Sequence, residues 1–105
     1  MAAIHWGVSY PAKSAVLTMT KAAAVEYGPM NVRNNAMEAG LIDAGIIHEA
    51  LEIMPEHIAE LVEKTPISRL GKPEEVAGCV LFLCSEKGAF INGAGLVMDG
   101  GYTVL

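Results

Sequence analysis

The chain has 105 residues, 52% of them hydrophobic and 18% charged, with a formal net charge of −5 at pH 7. That length allows one domain with a modest core, and the apolar content is above the usual globular mix, so some apolar surface needs a cover. Only seven Lys and Arg, scattered along the chain, exclude a nucleic-acid surface and an anionic-membrane patch.

Residues 1 to 9 contain Gly7 and Ser9 without a clear period and read as a lead-in loop in which Trp6 packs against something. They have neither a basic start nor a long apolar run. From Tyr10 to Tyr27 the chain reads as a helix, with Pro11 at its first position and Gly28-Pro29 closing it. Val16, Leu17, Met19 and Val25, set among alanines, spread around the whole circumference, which predicts burial on both sides. Tyr10 and Lys13 stand three residues apart and point from one face of the first turn.

Residues 31–37 form a strand candidate, although Asn34 and Asn35 are poor strand formers and would also suit a loop. From Asp43 to Lys64 the apolar residues Ile46, Ile47, Ala50, Leu51, Ile58, Leu61 and Val62 recur at helical spacing, and Pro55 splits the stretch into two helices. Thr65 to Lys72 is a connection with two breakers. Pro73 opens the last helix, Glu74 and Glu75 sit in its positive first turn, and Lys87-Gly88 closes it, with Val76, Val80, Leu81 and Leu83 expected to face the core. Cys79 and Cys84, five apart on that helix, point roughly 140° away from each other, so they read as reduced core thiols of a cytosolic protein. The run between them is too short to span a bilayer, which predicts a soluble, cytoplasmic chain. Residues 94–98 are a short apolar strand stopped by the turn Asp99-Gly100-Gly101. Strand, helices and strand in this order predict a right-handed crossover between parallel strands. Two strands alone leave every edge open.

Tyr10 and Lys13 carry the one chemical constellation. A phenol of pKa ~10 is a poor acid–base at neutral pH, and an ammonium one turn away favours the phenolate, so the pair could move a proton to or from a substrate oxygen. A Tyr-x-x-Lys is also short and common, and equally describes a capping tyrosine beside a solvated lysine. His5, His48 and His57 lack ligand spacing, so no metal site is expected, and Ser9, Ser14 and His5 show no nucleophile–base pattern. Gly93-Ala94-Gly95 precedes a strand and has Met98 where a dinucleotide fingerprint needs its third glycine.

Further motifs set that pair in context. Lys13-Ser14-Ala15-Val16, Val32-Arg33-Asn34-Asn35-Ala36 followed by Gly40, the block from Pro66 through Arg69-Leu70-Gly71-Lys72-Pro73-Glu74-Glu75-Val76-Ala77, Phe82-Leu83-Cys84-Ser85, and Asn92-Gly93-Ala94-Gly95 running to Asp99-Gly100-Gly101 occur in this order. In order and spacing they resemble the C-terminal half of short-chain dehydrogenase/reductases, over nearly the whole chain. The resemblance implies an α/β fold: the C-terminal part of a doubly wound, Rossmann-like parallel sheet, with two parallel strands and about four helices. Residues 1–105 would form a single, partial domain. It also implies NAD- or NADP-dependent hydride transfer between a carbonyl and an alcohol, with a small-molecule substrate chosen by the segment from Asp43 to Lys64. Tyr10 would be the acid–base. Lys13 would hold the nicotinamide ribose and lower the tyrosine pKa, and Gly40 and Ile42 would contact the cofactor.

Three positions depart from the family. Its spacing is Tyr-x-x-x-Lys, so Ser9 stands where the tyrosine is expected and Tyr10 is one residue closer to Lys13. A proline–glycine is replaced by Ala39-Gly40, and a threonine that binds the carboxamide by Ala44. The family's glycine-rich phosphate turn, adenosine-ribose reader and catalytic serine have no counterpart among these residues, so cofactor binding by the chain alone is expected to be weak. The alternative is a catalytically silent member that serves as an oligomerising or partner-binding module. Either way the apolar helix and open strand edges predict a homo-oligomer, most simply a twofold dimer of the helices from Pro11 to Tyr27.

Overall fold

A computed structural model describes the backbone of residues 2–104 and the side chains of residues 13–104. Four α-helices and two strands follow in the order α1 (Ala2–Tyr27), β1 (Ala36–Ala39), α2 (Gly45–Ile53), α3 (Pro55–Lys64), α4 (Pro73–Cys84) and β2 (Gly95–Met98). The strands pair in parallel, with Ala36 opposite Gly95 and Ala39 opposite Met98. The α/β crossover expected from the sequence is therefore present, with its helices between the two strands.

α1 is longer than expected. It begins at Ala2 and runs through Pro11, so residues 2–9 are helical and the lead-in loop is not found. Pro11 keeps a helical φ and withholds only the N–H that would reach the carbonyl of Gly7, so the helix loses one rung without stopping. The side chains of His5, Trp6, Ser9 and Tyr10 lie outside the described residues. Burial on both sides is also not observed: Ala24 is buried, whereas Met19 is 69% and Val25 79% exposed. A sheet of two strands can cover only one face of a 26-residue helix.

β1 starts later than residues 31–37 would place it, and the asparagines explain why. Asn34 and Asn35 form a clamp with the loop before β2: Asn35 donates from Nδ2 to the Ile91 carbonyl (2.9 Å) and accepts the Ala94 N–H (3.0 Å). Asn92 accepts the Asn34 N–H (2.9 Å) and donates to the Ala24 carbonyl (2.9 Å), joining α1 to both strand entrances. Gly93 donates to the Asn34 carbonyl at 2.7 Å, so the parallel ladder continues upstream through side chains and backbone together.

The core is small. Among the described residues Ala24, Ala36, Ile58 and Leu83 are buried and apolar, and Thr65 is tied down by its hydroxyl to the Leu61 carbonyl. On α4 only Leu83 of the four expected core residues is buried; Val76 is half-buried and Val80 and Leu81 are exposed, because no layer covers that face. Cys79 and Cys84 are free thiols, the first half-buried and the second exposed, rather than core residues. The radius of gyration, 15.7 Å, exceeds the roughly 13 Å of a compact chain of this length. The helices thus flank a sheet too narrow to bury them.

Candidate active site

Three segments converge beyond the carboxyl end of the two strands. The Gly40 N–H donates to the Met98 carbonyl (3.0 Å), extending the ladder past β1. Ile42 then forms a parallel bridge with Gly71, closed by Gly71 N–H to Leu41 O (2.9 Å) and Asp43 N–H to Gly71 O (2.8 Å). The Ile67 N–H reaches Gly100 O at 2.9 Å, so the connection after α3 is sewn to the turn after β2. In a parallel α/β sheet this end is where ligands bind.

A β-carbon would be crowded where these segments touch. A β-carbon at Gly40 would stand 2.8 Å from Asp99 Cα, and one at Gly71 would stand 2.6 Å from Ile42 Cδ1. Gly100 and Gly101 have φ of 65° and 92°, a left-handed pair that turns the chain back under Asp99. Asp99 fixes that turn through Gly101 N–H on Oδ1 (2.9 Å) and Thr103 N–H (2.9 Å) and hydroxyl (2.6 Å) on Oδ2. The Thr103 hydroxyl is the main reason its carboxyl lies below the usual range.

Between these segments and α1 lies a groove of about 890 Å³, within the range of small-molecule sites. Lys13 and Ser14 line it from α1, and Gly40 and Ile42 from the end of β1. Lys13, Gly40 and Ile42, assigned to the cofactor from sequence, therefore share one cavity although 27 residues separate the first two. Tyr10, the remaining site residue, is on α1 one turn before Lys13, and its side chain lies outside the described residues.

The groove also contains residues the sequence reading did not single out as site residues. Arg69 grips Glu75 through Nη1–Oε2 (2.9 Å) and Nη2–Oε1 (2.7 Å), and Glu75 Oε2 accepts the Lys72 N–H (2.8 Å) at the start of α4. The Arg69 hydrogen bonds, then that backbone N–H, hold the Glu75 carboxyl down to about 2. Glu38, a charge in the middle of β1, is the second addition, and its place in an otherwise apolar strand was the signal available. Ala44 caps α2 without a side-chain bond; beside it Asp43 Oδ1 and His48 Nε2 meet at 2.6 Å in the open. Among the described residues no three His, Cys, Asp or Glu are grouped to hold a metal, and no helix is long and apolar enough to cross a membrane.

Residues 2–103 match the enoyl-(acyl carrier protein) reductase family. Cyclohexanol dehydrogenase of Acinetobacter is 45% identical over 92 residues, covering 88% of this chain and 34% of that protein. A short chain dehydrogenase from Bacillus anthracis, 39% identical, superposes with a TM-score of 0.71 over 89% of this chain and 34% of its own. A putative 2-deoxy-d-gluconate 3-dehydrogenase from Agrobacterium tumefaciens, solved with bound NADP, is 32% identical, with a TM-score of 0.82 over 90% of this chain and 38% of its own. The chain thus spans about a third of the length of the relatives it matches. It belongs to the short-chain dehydrogenase/reductase family of oxidoreductases and corresponds to the C-terminal part of that Rossmann-like fold.

Proposed function

We propose that this chain supplies the nicotinamide side of the active site of an NAD- or NADP-dependent dehydrogenase acting on a small alcohol or the matching ketone. The observation that carries the reading is the shared groove: Lys13, Gly40 and Ile42 line one cavity at the carboxyl end of the parallel strands. Its size and its mixed apolar and charged walls fit a nicotinamide riboside. When bound, the nicotinamide supplies or accepts the hydride.

The chain's own residues do the rest. Lys13 donates to the ribose hydroxyls and, one turn from Tyr10, favours the phenolate. Tyr10 takes the proton of the alcohol as the ketone forms, and returns it in the reverse direction. Backbone at Gly40 and the apolar side chain of Ile42 border the ring. Pyrophosphate and adenosine contacts have no residues here to make them, so tight binding needs the remaining two thirds of the fold. A reducing cytoplasmic setting suits the free thiols of Cys79 and Cys84. The exposed apolar face of α1 supports assembly as a homo-oligomer. The relatives give no support to a catalytically silent module, and an oxidoreductase matches them better.

The test is activity in a chain completed by the upstream part of a relative. NAD(P)-linked oxidation of a cyclic secondary alcohol is expected, with Tyr10→Phe lowering kcat by about 100-fold or more and Lys13→Ala both lowering kcat and raising KM. Unchanged turnover in Tyr10→Phe would show that the Tyr-x-x-Lys spacing has moved this tyrosine off the reacting oxygen.

A further inference from the structure

Ile42 is placed in the groove by Gly71. The Gly71 N–H donates to Leu41 O (2.9 Å) and its carbonyl accepts the Asp43 N–H (2.8 Å), so it grips the chain on both sides of Ile42. Ile42 Cδ1 fills the space a side chain at Gly71 would take, 2.6 Å from where a β-carbon would stand. Where Gly71 sits therefore decides where Ile42 sits. Gly71 is itself held from both flanks. Before it, the Leu70 carbonyl accepts from Arg69 Nη1 (3.0 Å); after it, the Lys72 N–H donates to Glu75 Oε2 (2.8 Å). Arg69 Nη1 also donates to Glu75 Oε2 (2.9 Å) and Nη2 to Oε1 (2.7 Å), which closes a ring of contacts around residues 70–72. The Glu75 N–H donates back to the Lys72 carbonyl (3.0 Å), so the ring is fastened to the start of α4.

An ion pair whose side chains are 49% and 39% exposed adds little to global stability. Its geometry here is nonetheless specific. A guanidinium donates to a carboxylate and a neighbouring carbonyl at once, and a carboxylate accepts from a guanidinium and a backbone N–H at once. The two roles cannot be exchanged, because an arginine accepts nothing and an ionised glutamate donates nothing. We propose that Arg69 and Glu75 are positioning residues of this groove: together they fix the carbonyl before Gly71 and the N–H after it, and Gly71 in turn sets Ile42 against the ligand. This rests on the groove being the nicotinamide site.

The test combines amide exchange with a titration of the 105-residue chain by nicotinamide mononucleotide, followed at the Ile42 δ1 methyl NMR signal. In Arg69→Ala the Asp43 amide, bonded to Gly71 O, is expected to exchange about ten-fold faster, as for a lost hydrogen bond to a charged group. The Ala36 amide, bonded to Ala94 O at the other end of β1, should keep its protection. The mononucleotide should bind about ten-fold more weakly. Glu75→Gln keeps an acceptor and should lose less. The double variant Arg69→Glu with Glu75→Arg reunites opposite charges but cannot bond Leu70 O or the Lys72 N–H, so it should not recover the affinity. Parent affinity in Arg69→Ala, recovery in the exchanged pair, or equal acceleration at Asp43 and Ala36 overturns the positioning role and leaves the groove reading standing. Failure of the mononucleotide to shift Ile42 in the parent chain overturns the groove reading, and the role of Arg69 and Glu75 with it.

Discussion

Replacing Gly40 by alanine tests whether the floor of the groove depends on backbone contact between the two strand ends. The new β-carbon would stand 2.8 Å from both Cα and Cβ of Asp99, where carbon atoms prefer about 3.5–4.0 Å. Gly40 is not among the glycines of positive φ, so the penalty comes from this collision and not from backbone conformation. Neither atom of Asp99 belongs to the far end of a flexible side chain, and the carboxylate beyond them is held by three hydrogen bonds. Relief therefore requires the ends of β1 and β2 to part, which lengthens the 3.0 Å bond from Gly40 N–H to Met98 O. Overpacking of this kind costs about 1–3 kcal/mol, and weakening the bond adds roughly 0.5–1.5 kcal/mol, so a loss of about 2–4 kcal/mol is expected. Urea unfolding with an unchanged slope measures it. A Gly40→Ala chain within about 0.5 kcal/mol of the parent, its residue-40 amide still protected from exchange, would refute the close approach.

Asn92→Ala removes two hydrogen bonds that tie the loop before β2 to α1 and to the entrance of β1, so a loss of about 1–3 kcal/mol and faster exchange of the Asn34 amide are expected. Stability should also fall in acid through Glu75. Its carboxyl is held at about 2 in the fold against an ordinary 4.5, so its contribution is complete above about 4.5 and is lost as the pH drops towards 2. Unfolding midpoints measured across that window should fall less in Glu75→Gln than in the parent. Light scattering of the parent is expected to give a mass above 11.1 kDa, and Met19→Glu, on the exposed face of α1, should shift it towards the monomer. A parent that is a folded monomer at micromolar concentration would remove the assembly.

What the sequence made legible followed from residues whose meaning is local. Pro55 and Pro73 open α3 and α4 where their missing N–H costs nothing, and Asp99-Gly100-Gly101 makes a turn only such residues allow. The parallel pairing followed from element order. Pro11 misled for the same reason that Pro55 did not: a proline at a helix start and one tolerated inside a helix look alike until the preceding residues are placed. Asn34 and Asn35 read as weak strand formers because their partners, Asn92 and Gly93 for the first and Ile91 and Ala94 for the second, are nearly 60 residues away. Val80 and Leu81 looked like core residues since periodicity reports a face that wants a cover, not whether this chain supplies it. Lys13, Gly40 and Ile42 were singled out by residue type and share one groove, whereas Glu38, opposite Val97 with a carboxylate oxygen over Gly95, was not singled out because its neighbours on β2 and α1 are distant in sequence.

The central claim, that the groove between α1 and the strand ends seats the nicotinamide ribose, is tested most directly by mapping backbone amide shifts of the whole chain as nicotinamide mononucleotide is added. The account predicts shifts that cluster at Lys13, Gly40, Ile42 and Gly71 and saturate together. Shifts confined to the acidic helices α2 and α3, or scattered without saturation, would contradict it.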